Sequence, residues 1–264
     1  MGSTWQRVWA MVLRHSYLLR SSWPRLLELI YWPTFQLLLW GFITTFFLQH
    51  SSWIAQAAGV LISAVLLWDV LFRANLGLAL TFLEEMWARN LGQLFISPLR
   101  PGELIASLMI ISLIRTLISV TPAAFLALPL FDVWIFELGI GLAAFFINLM
   151  IMGWAIGLLV SGLILRLGLG AESLCWLGIF LIAPVTGIYY PVEVLPDWLE
   201  PISWTLPSTY VFEGMRSVLF DQVFRWDLLA GALGLNAVYL VICSGVFLRM
   251  FHVARSQGKL LQQG

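Results

Sequence analysis

Charged side chains are scarce in this sequence, so the few that interrupt its apolar runs are where chemistry must be sought. Of 264 residues, 61% are hydrophobic and 11% charged, against about 25% charged in an ordinary soluble domain. Asp69 and Arg73 stand four apart with the acid first, the favourable order for a helical ion pair. Arg115 sits near the middle of another apolar run. An isolated charge there costs about 2.5–3.5 kcal/mol on insertion scales, so a partner is expected. Counted from opposite ends of their runs, Asp69 and Arg115 fall at similar depth. Asp69 is therefore the expected counter-ion of Arg73, Arg115 or both. A packing ion pair and contact with an anionic substrate both fit these residues.

A second polar interruption is residues 81–101, TFLEEMWARNLGQLFISPLRP. It carries Glu84, Glu85, Arg89 and Asn90 among Phe82, Leu83, Met86, Trp87, Leu91, Leu94, Phe95 and Ile96. It is too polar for a bilayer interior and too apolar for a solvated linker. Glu85 and Arg89 are spaced for an i,i+4 pair. A short helix over about 90–96 would be stopped by Pro98 and Pro101.

Catalytic patterns are missing. A nucleotide-binding loop needs a lysine after a glycine-rich turn to reach the phosphates, and the single lysine here is Lys259 in the C-terminal tail. His15, His50 and His252 are far apart, and Cys175 and Cys243 lie in apolar runs at no metal or redox spacing. No metal, cofactor or catalytic residue is assigned to the chain. The cysteines are expected to pack as small hydrophobes.

The elements that position these charges are membrane spans. About 20 apolar residues cross a bilayer core as a helix, and six stretches qualify: 30–48, 57–80, 104–130, 134–165, 174–189 and 228–250. The expected fold is an all-α integral membrane protein, one transmembrane domain over 1–264. Residues 3–20 pattern as an amphipathic interfacial helix within an N-terminal segment of about 25 residues. Trp5, Val8, Trp9, Val12, Leu13 and Leu19 share one face, Gln6, Arg7, Ala10 and Arg14 another, and Met11 breaks the pattern. No cleavable signal segment is expected at the N-terminus. Gly153, Gly157 and Ser161 share a helix face and should let two helices of the chain approach closely.

The net charge of zero hides an asymmetry. Arg7, Arg14, Arg20, Arg25, Arg89, Arg100, Arg166, Arg249, Arg255 and Lys259 fall on one side of the six spans. Arg216 and Arg225 fall on the other, with Asp132, Glu193, Asp197, Glu200, Glu213, Asp221 and Asp227. The positive-inside rule then puts both termini in the cytoplasm. The external segment 190–227 is rich in proline, tryptophan and tyrosine, which predicts short re-entrant or surface helices.

That segment carries a resemblance. Pro184, Gly187, Tyr190, Pro191, Val194, Leu195, Pro196, Trp198, Leu199, Pro207, Tyr210, Glu213 and Arg216 follow the pattern P..G..YP...LP.WL…P..Y..E..R. In this the chain resembles the permease subunits of type-2 ATP-binding-cassette (ABC) exporters of drugs, lipids and lipid-linked glycans. The resemblance implies a homodimer, or a pair with a sibling permease, in the bacterial inner membrane. It implies two separate nucleotide-binding ATPase subunits that carry ATP and Mg. It places a coupling helix between spans two and three, so that Glu84, Glu85, Met86, Arg89, Asn90, Leu91 and Leu94 would lie at the ATPase subunit. It implies a path along spans one, two and five, lined on this chain by Phe35, Trp40, Trp68, Asn75, Thr186 and Tyr190. Two other readings stay open. A stand-alone secondary transporter calls for broken helices in both halves, and here they occur in the second half alone. A membrane-embedded enzyme calls for polar residues converging at one depth.

Overall fold

The computed structural model describes residues 3–50 and 55–257; Lys259 and the side chains of His50 and Phe95 lie outside the described residues. Among the described residues every regular element is a helix. Ten α-helices follow in order: α1 Thr4–Arg20, α2 Trp23–His50, α3 Ala55–Trp87, α4 Leu91–Ile96, α5 Pro101–Phe131, α6 Ile140–Leu167, α7 Leu174–Ile182, α8 Glu200–Ser203, α9 Pro207–Asp221 and α10 Trp226–Ser256.

Five of these helices, α2, α3, α5, α6 and α10, are long and apolar enough to cross a membrane. The fifth expected span, 174–189, does not form as one helix. Its helical part is Leu174–Ile182, nine residues, or about 14 Å at 1.5 Å per residue against a core of about 30 Å. Pro184 cannot continue the hydrogen-bonding pattern, and Gly187 takes a positive φ of 67°. The chain from Ala183 to Tyr190 therefore advances as a series of turns. The expected fourth span also begins later, at Ile140. Asp132 closes α5 in the left-handed region, and a 3-10 turn, Ile135–Leu138, occupies the interval.

Helix α3 is the centre of the bundle, packed on α6, α5 and α2. The small residues of α6 make this approach possible. A Cβ on Gly153 would stand 2.5 Å from Ala74 Cβ and 2.8 Å from the Leu71 carbonyl, and one on Gly157 would stand 3.1 Å from the Asn75 carbonyl. Ser112 Oγ donates to the Ala74 carbonyl at 2.8 Å, tying α5 to the same stretch of α3. Two apolar cores result. One surrounds Leu66, Leu71, Leu149 and Phe212; the other surrounds Phe82, Leu83, Leu91, Phe247 and Phe251 near α4.

Helix α1 starts at Ser3, which closes a capping box with Gln6. Its apolar residues divide between two faces. Val8, Met11, Val12 and Leu19 are buried, while Trp5, Trp9 and Leu13 are exposed, with Trp5 stacked on Trp9. Met11, which disturbed the expected single stripe, belongs to the face packed on the protein.

The close α3–α6 approach sets a stability order. Gly153→Ala meets backbone and Cβ atoms and should cost about 1–3 kcal/mol through overpacking. Gly234→Ala on α10 meets nothing within 4 Å and should be neutral or gain up to about 1 kcal/mol from helix propensity. Thermal unfolding of both variants in one detergent checks the order.

Candidate functional site

The second interruption in the sequence folds as a helix end, a reversal and a short helix. Arg89 adopts the left-handed region with φ 52°. The Asn90 amide donates to the Glu85 carbonyl and the Arg89 amide to the Met86 carbonyl, the two bonds of a Schellman closure. The expected Glu85–Arg89 pair does not form, because Arg89 lies beyond the last helical turn. The Glu85 carboxylate is buried and turns to α1. Arg14 Nη1 reaches it at 2.9 Å, His15 Nε2 lies 3.4 Å away, and Asn90 Nδ2 donates to it at 2.9 Å. Arg7 holds Glu103 through Nε at 2.8 Å, so α1 is anchored to both α3 and α5.

This placement changes which side of the segment faces outward. Glu85, Met86, Leu91 and Leu94 are buried in the chain's own packing, and Glu84 and Asn90 are half-buried. Of the seven residues expected at an ATPase subunit, Arg89 alone is exposed. A six-residue helix has little stability of its own, so its apolar edge, Leu91 and Leu94, joins the core formed with residues of α3, α5, α6 and α10. The open side is Trp87, Arg89, Gln93, Ile96 and Ser97.

The three charges inside apolar runs do converge, but not as expected. Asp69, Arg73 and Arg115 line one groove of about 610 Å³ between α2, α3, α5 and α7, together with Arg25, Glu28 and Glu84. Trp32, Phe72, Trp87, Trp176 and Phe180 supply its aromatic walls. Arg115 pairs with Glu84 at 3.0 Å rather than with Asp69, and Arg25 lies 3.8 Å from the same carboxylate. Helices α2 and α5 run parallel, with Ser119 bonded to the Leu29 carbonyl and Phe131 against Phe42. Arg115, four residues before Ser119, is thus level with Arg25 at the start of α2. It is central in α5 because that helix, about 46 Å long, extends past the start of α2 to lie along α1.

The six expected path residues lie beside the groove rather than on it. Trp68, Asn75 and Thr186 are buried in packing, Asn75 donating to the Cys175 carbonyl at 2.9 Å and Thr186 to the Ala183 carbonyl. Phe35 is exposed against Tyr31, Trp40 stacks on Tyr189 at 4.7 Å, and Tyr190 donates to the Pro184 carbonyl. The groove takes Trp32 and Gln36 from α2, and Asp69, Phe72 and Leu76 from α3. One residue along a helix is a rotation of about 100°, and aromatic content alone does not fix that rotation.

At the opposite end, Arg216 is buried. It pairs with Glu213 at 2.8 Å and donates to the carbonyls of Gly187, Ile188 and Tyr190. Glu213 accepts from the Val192 amide at 2.9 Å. Two members of the proline-rich pattern therefore hold the turns after α7. Burial draws the Arg216 guanidinium below its ordinary value.

Two outcomes follow at the α4 end. Glu84→Gln leaves Arg115 buried without its counter-ion and should cost about 3–5 kcal/mol. Adding Arg115→Met should recover much of that loss, a coupling read from a double-mutant cycle of unfolding. His15 is fully buried, and burial with Arg115 and Arg14 nearby draws its pKa down to about 4 from 6.5. The unfolded chain takes up this proton first. Stability from neutral His15 is then complete above pH 6.5 and is lost as pH falls towards 4, by about 3 kcal/mol. Melting temperatures from pH 7 to 4.5 should fall more steeply for the native chain than for His15→Phe.

Among curated proteins none matches the chain. The family model for ABC-2 type transporters matches residues 7–220. That match runs from the α1 anchor at Arg7 through the groove and the turns held by Arg216. ABC-2 membrane domains are transmembrane components without an ATPase site of their own, and they work with ATP-binding subunits. The chain is a multi-pass membrane protein of the ABC-2 type transporter family, the permease subunit of an ABC transporter.

Proposed function

We propose that this permease exports an amphipathic substrate, a drug, a lipid or a lipid-linked glycan, from the cytoplasmic side of a bacterial inner membrane. It works as a homodimer with two cytosolic ATPase subunits that bind ATP and Mg. The observation that carries this reading is the groove itself, in which charges and aromatic rings share one wall-to-wall space among apolar helices. Such a lining suits a molecule with a polar head and an apolar body better than a uniformly polar solute.

Arg20 at the end of α1, Arg89 and Arg100 on either side of α4, and Arg255 at the end of α10 face the cytoplasm in this reading, as the positive-inside rule requires. The turns after α7, with α8 and α9, form the external cap. The path from Leu169 to Tyr190 then makes the sixth crossing, part helix and part turns, with Thr186, Gly187 and Ile188 of the irregular part buried by protein. Trp5, Trp9 and Leu13 on the outer face of α1 rest in the membrane interface.

The ATPase subunit docks on the exposed side of the α3–α4 reversal, Arg89, Gln93 and Ile96. Ion pairs from Glu85 to Arg14 and from Glu84 to Arg115 join this reversal to α1 and α5. A push at α4 is thereby passed to the helices that wall the groove.

Arg89→Glu with Ile96→Ser should insert and fold normally yet lose the ATPase subunit in pull-downs from native membranes, and lose ATP-dependent transport. Retention of the ATPase subunit by that variant contradicts the docking surface. Transport by the purified chain with no ATPase subunit present contradicts the exporter reading and favours a secondary transporter.

A further inference from the structure

Among the described residues, Asp69 and Arg73 are buried charges whose side chains form no ion pair and no hydrogen bond. Asp69 is 2% exposed and Arg73 7% exposed. Asp69 Oδ2, Arg73 Nε and Arg73 Nη2 are buried with no hydrogen-bond partner. Both side chains line the groove one helical turn apart, yet their charged ends are not joined. Charges inside a membrane helix are expensive and are normally paired.

The other charges of the groove are differently placed. Arg25 and Arg115 share Glu84, and Glu28 is on the exposed face of α2. A purely anionic ligand beside Arg73 would meet Asp69 and Glu28. A purely cationic ligand beside Asp69 would meet Arg73. A group that carries one charge of each sign, separated by about the 5–6 Å of an i,i+4 spacing, satisfies both residues at once. Phe72 lies under the Arg73 guanidinium at 5.7 Å and beside Phe180 at 5.5 Å, so an apolar wall adjoins the charged pair.

We propose that Asp69 and Arg73 bind the zwitterionic headgroup of a single-molecule amphiphile. Arg73 holds its phosphate or carboxylate, Asp69 holds its ammonium, and the tail lies along Trp32, Phe72, Trp176 and Phe180. The proposal gives a substrate class to the exporter reading and rests on that reading for outward movement, but not for binding.

The test uses the full chain, purified in an uncharged maltoside detergent, and three probes with the same acyl chain length. These are a lysophosphatidylethanolamine, a lysophosphatidic acid and an alkyltrimethylammonium. Binding is read as the rise in melting temperature against probe concentration. The zwitterion should half-saturate at about one tenth the concentration of either singly charged probe. Arg73→Gln should move the preference to the cation and Asp69→Asn to the anion, while Arg73→Lys keeps the native order. Melting without probe shows that each variant is folded. Phosphoethanolamine without a tail should bind at least about tenfold more weakly than the lysolipid. Equal response to all three probes, or variants that weaken all three in the same ratio, overturns the headgroup site and leaves a structural charge pair. Equal binding without the tail overturns the aromatic wall. If the ranking appears but ATP drives no movement of the lysolipid in proteoliposomes, the site stands and export of this class fails. If ATP drives export of other compounds while the ranking is missing, the exporter reading stands and the site fails.

Discussion

A charge taken out of water must meet an opposite charge or a ring of dipoles, and the architecture of this permease is arranged around that requirement. Helix α3 is almost wholly buried, and its last turns carry adjacent carboxylates that cannot reach bulk solvent freely. Glu85 draws in Arg14 and Asn90; Glu84 draws in Arg115 and Arg25. Those contacts fix where α1, α4 and α5 lie. At the far end Arg216 meets Glu213 and three backbone carbonyls, which stabilises turns that contain Pro184, Gly187 and Pro191. Each pair is worth little as a net gain over an apolar replacement, but removal of one partner is costly. The pairs therefore specify arrangement more than they add stability.

The same requirement separates function from scaffold. Charges that the chain satisfies internally tie one element to another. Asp69 and Arg73 sit mid-helix, facing a groove, with polar atoms unanswered. A ligand charge in that groove gains a partner that the folded chain has already desolvated, a form of preorganisation. The groove opens among α2, α3, α5 and α7, and three of these helices are linked to the α3–α4 reversal by ion pairs or by α3 itself. The α3–α4 reversal at one end of the bundle and the groove thus share the same helices.

Much of this was legible in the sequence. Apolar run length gave all five span-length helices, and the polar content of 81–101 marked the reversal. The spacing of Gly153 and Gly157 implies packing within the chain, and the structure places that face against α3. The failures have physical causes. Residues 174–189 are apolar enough for a span, but hydropathy is blind to the break that Pro184 and Gly187 make in the helix. The position of Arg115 in its run implies a mid-membrane depth, but depth depends on how far a helix overshoots its neighbour, and α5 overshoots α2. Charge suggests a partner and an apolar edge suggests a groove, a pattern that points Glu85, Leu91 and Leu94 outward. Both demands are met by the chain's own α1, α5 and α10, which a linear pattern does not reveal.

The sidedness of the α3–α4 reversal is the hinge between fold and function, and site-directed cysteine labelling measures it directly. The two native cysteines, Cys175 and Cys243, are buried, so a membrane-impermeant maleimide applied to inside-out vesicles reports single cysteines placed at 86, 89, 91 and 96. Cysteines at 89 and 96 should label in the permease alone and become protected when the ATPase subunit is bound, while those at 86 and 91 stay unlabelled in both states. Labelling at 86 and 91 that the ATPase subunit suppresses, with 89 and 96 unaffected, would contradict this arrangement.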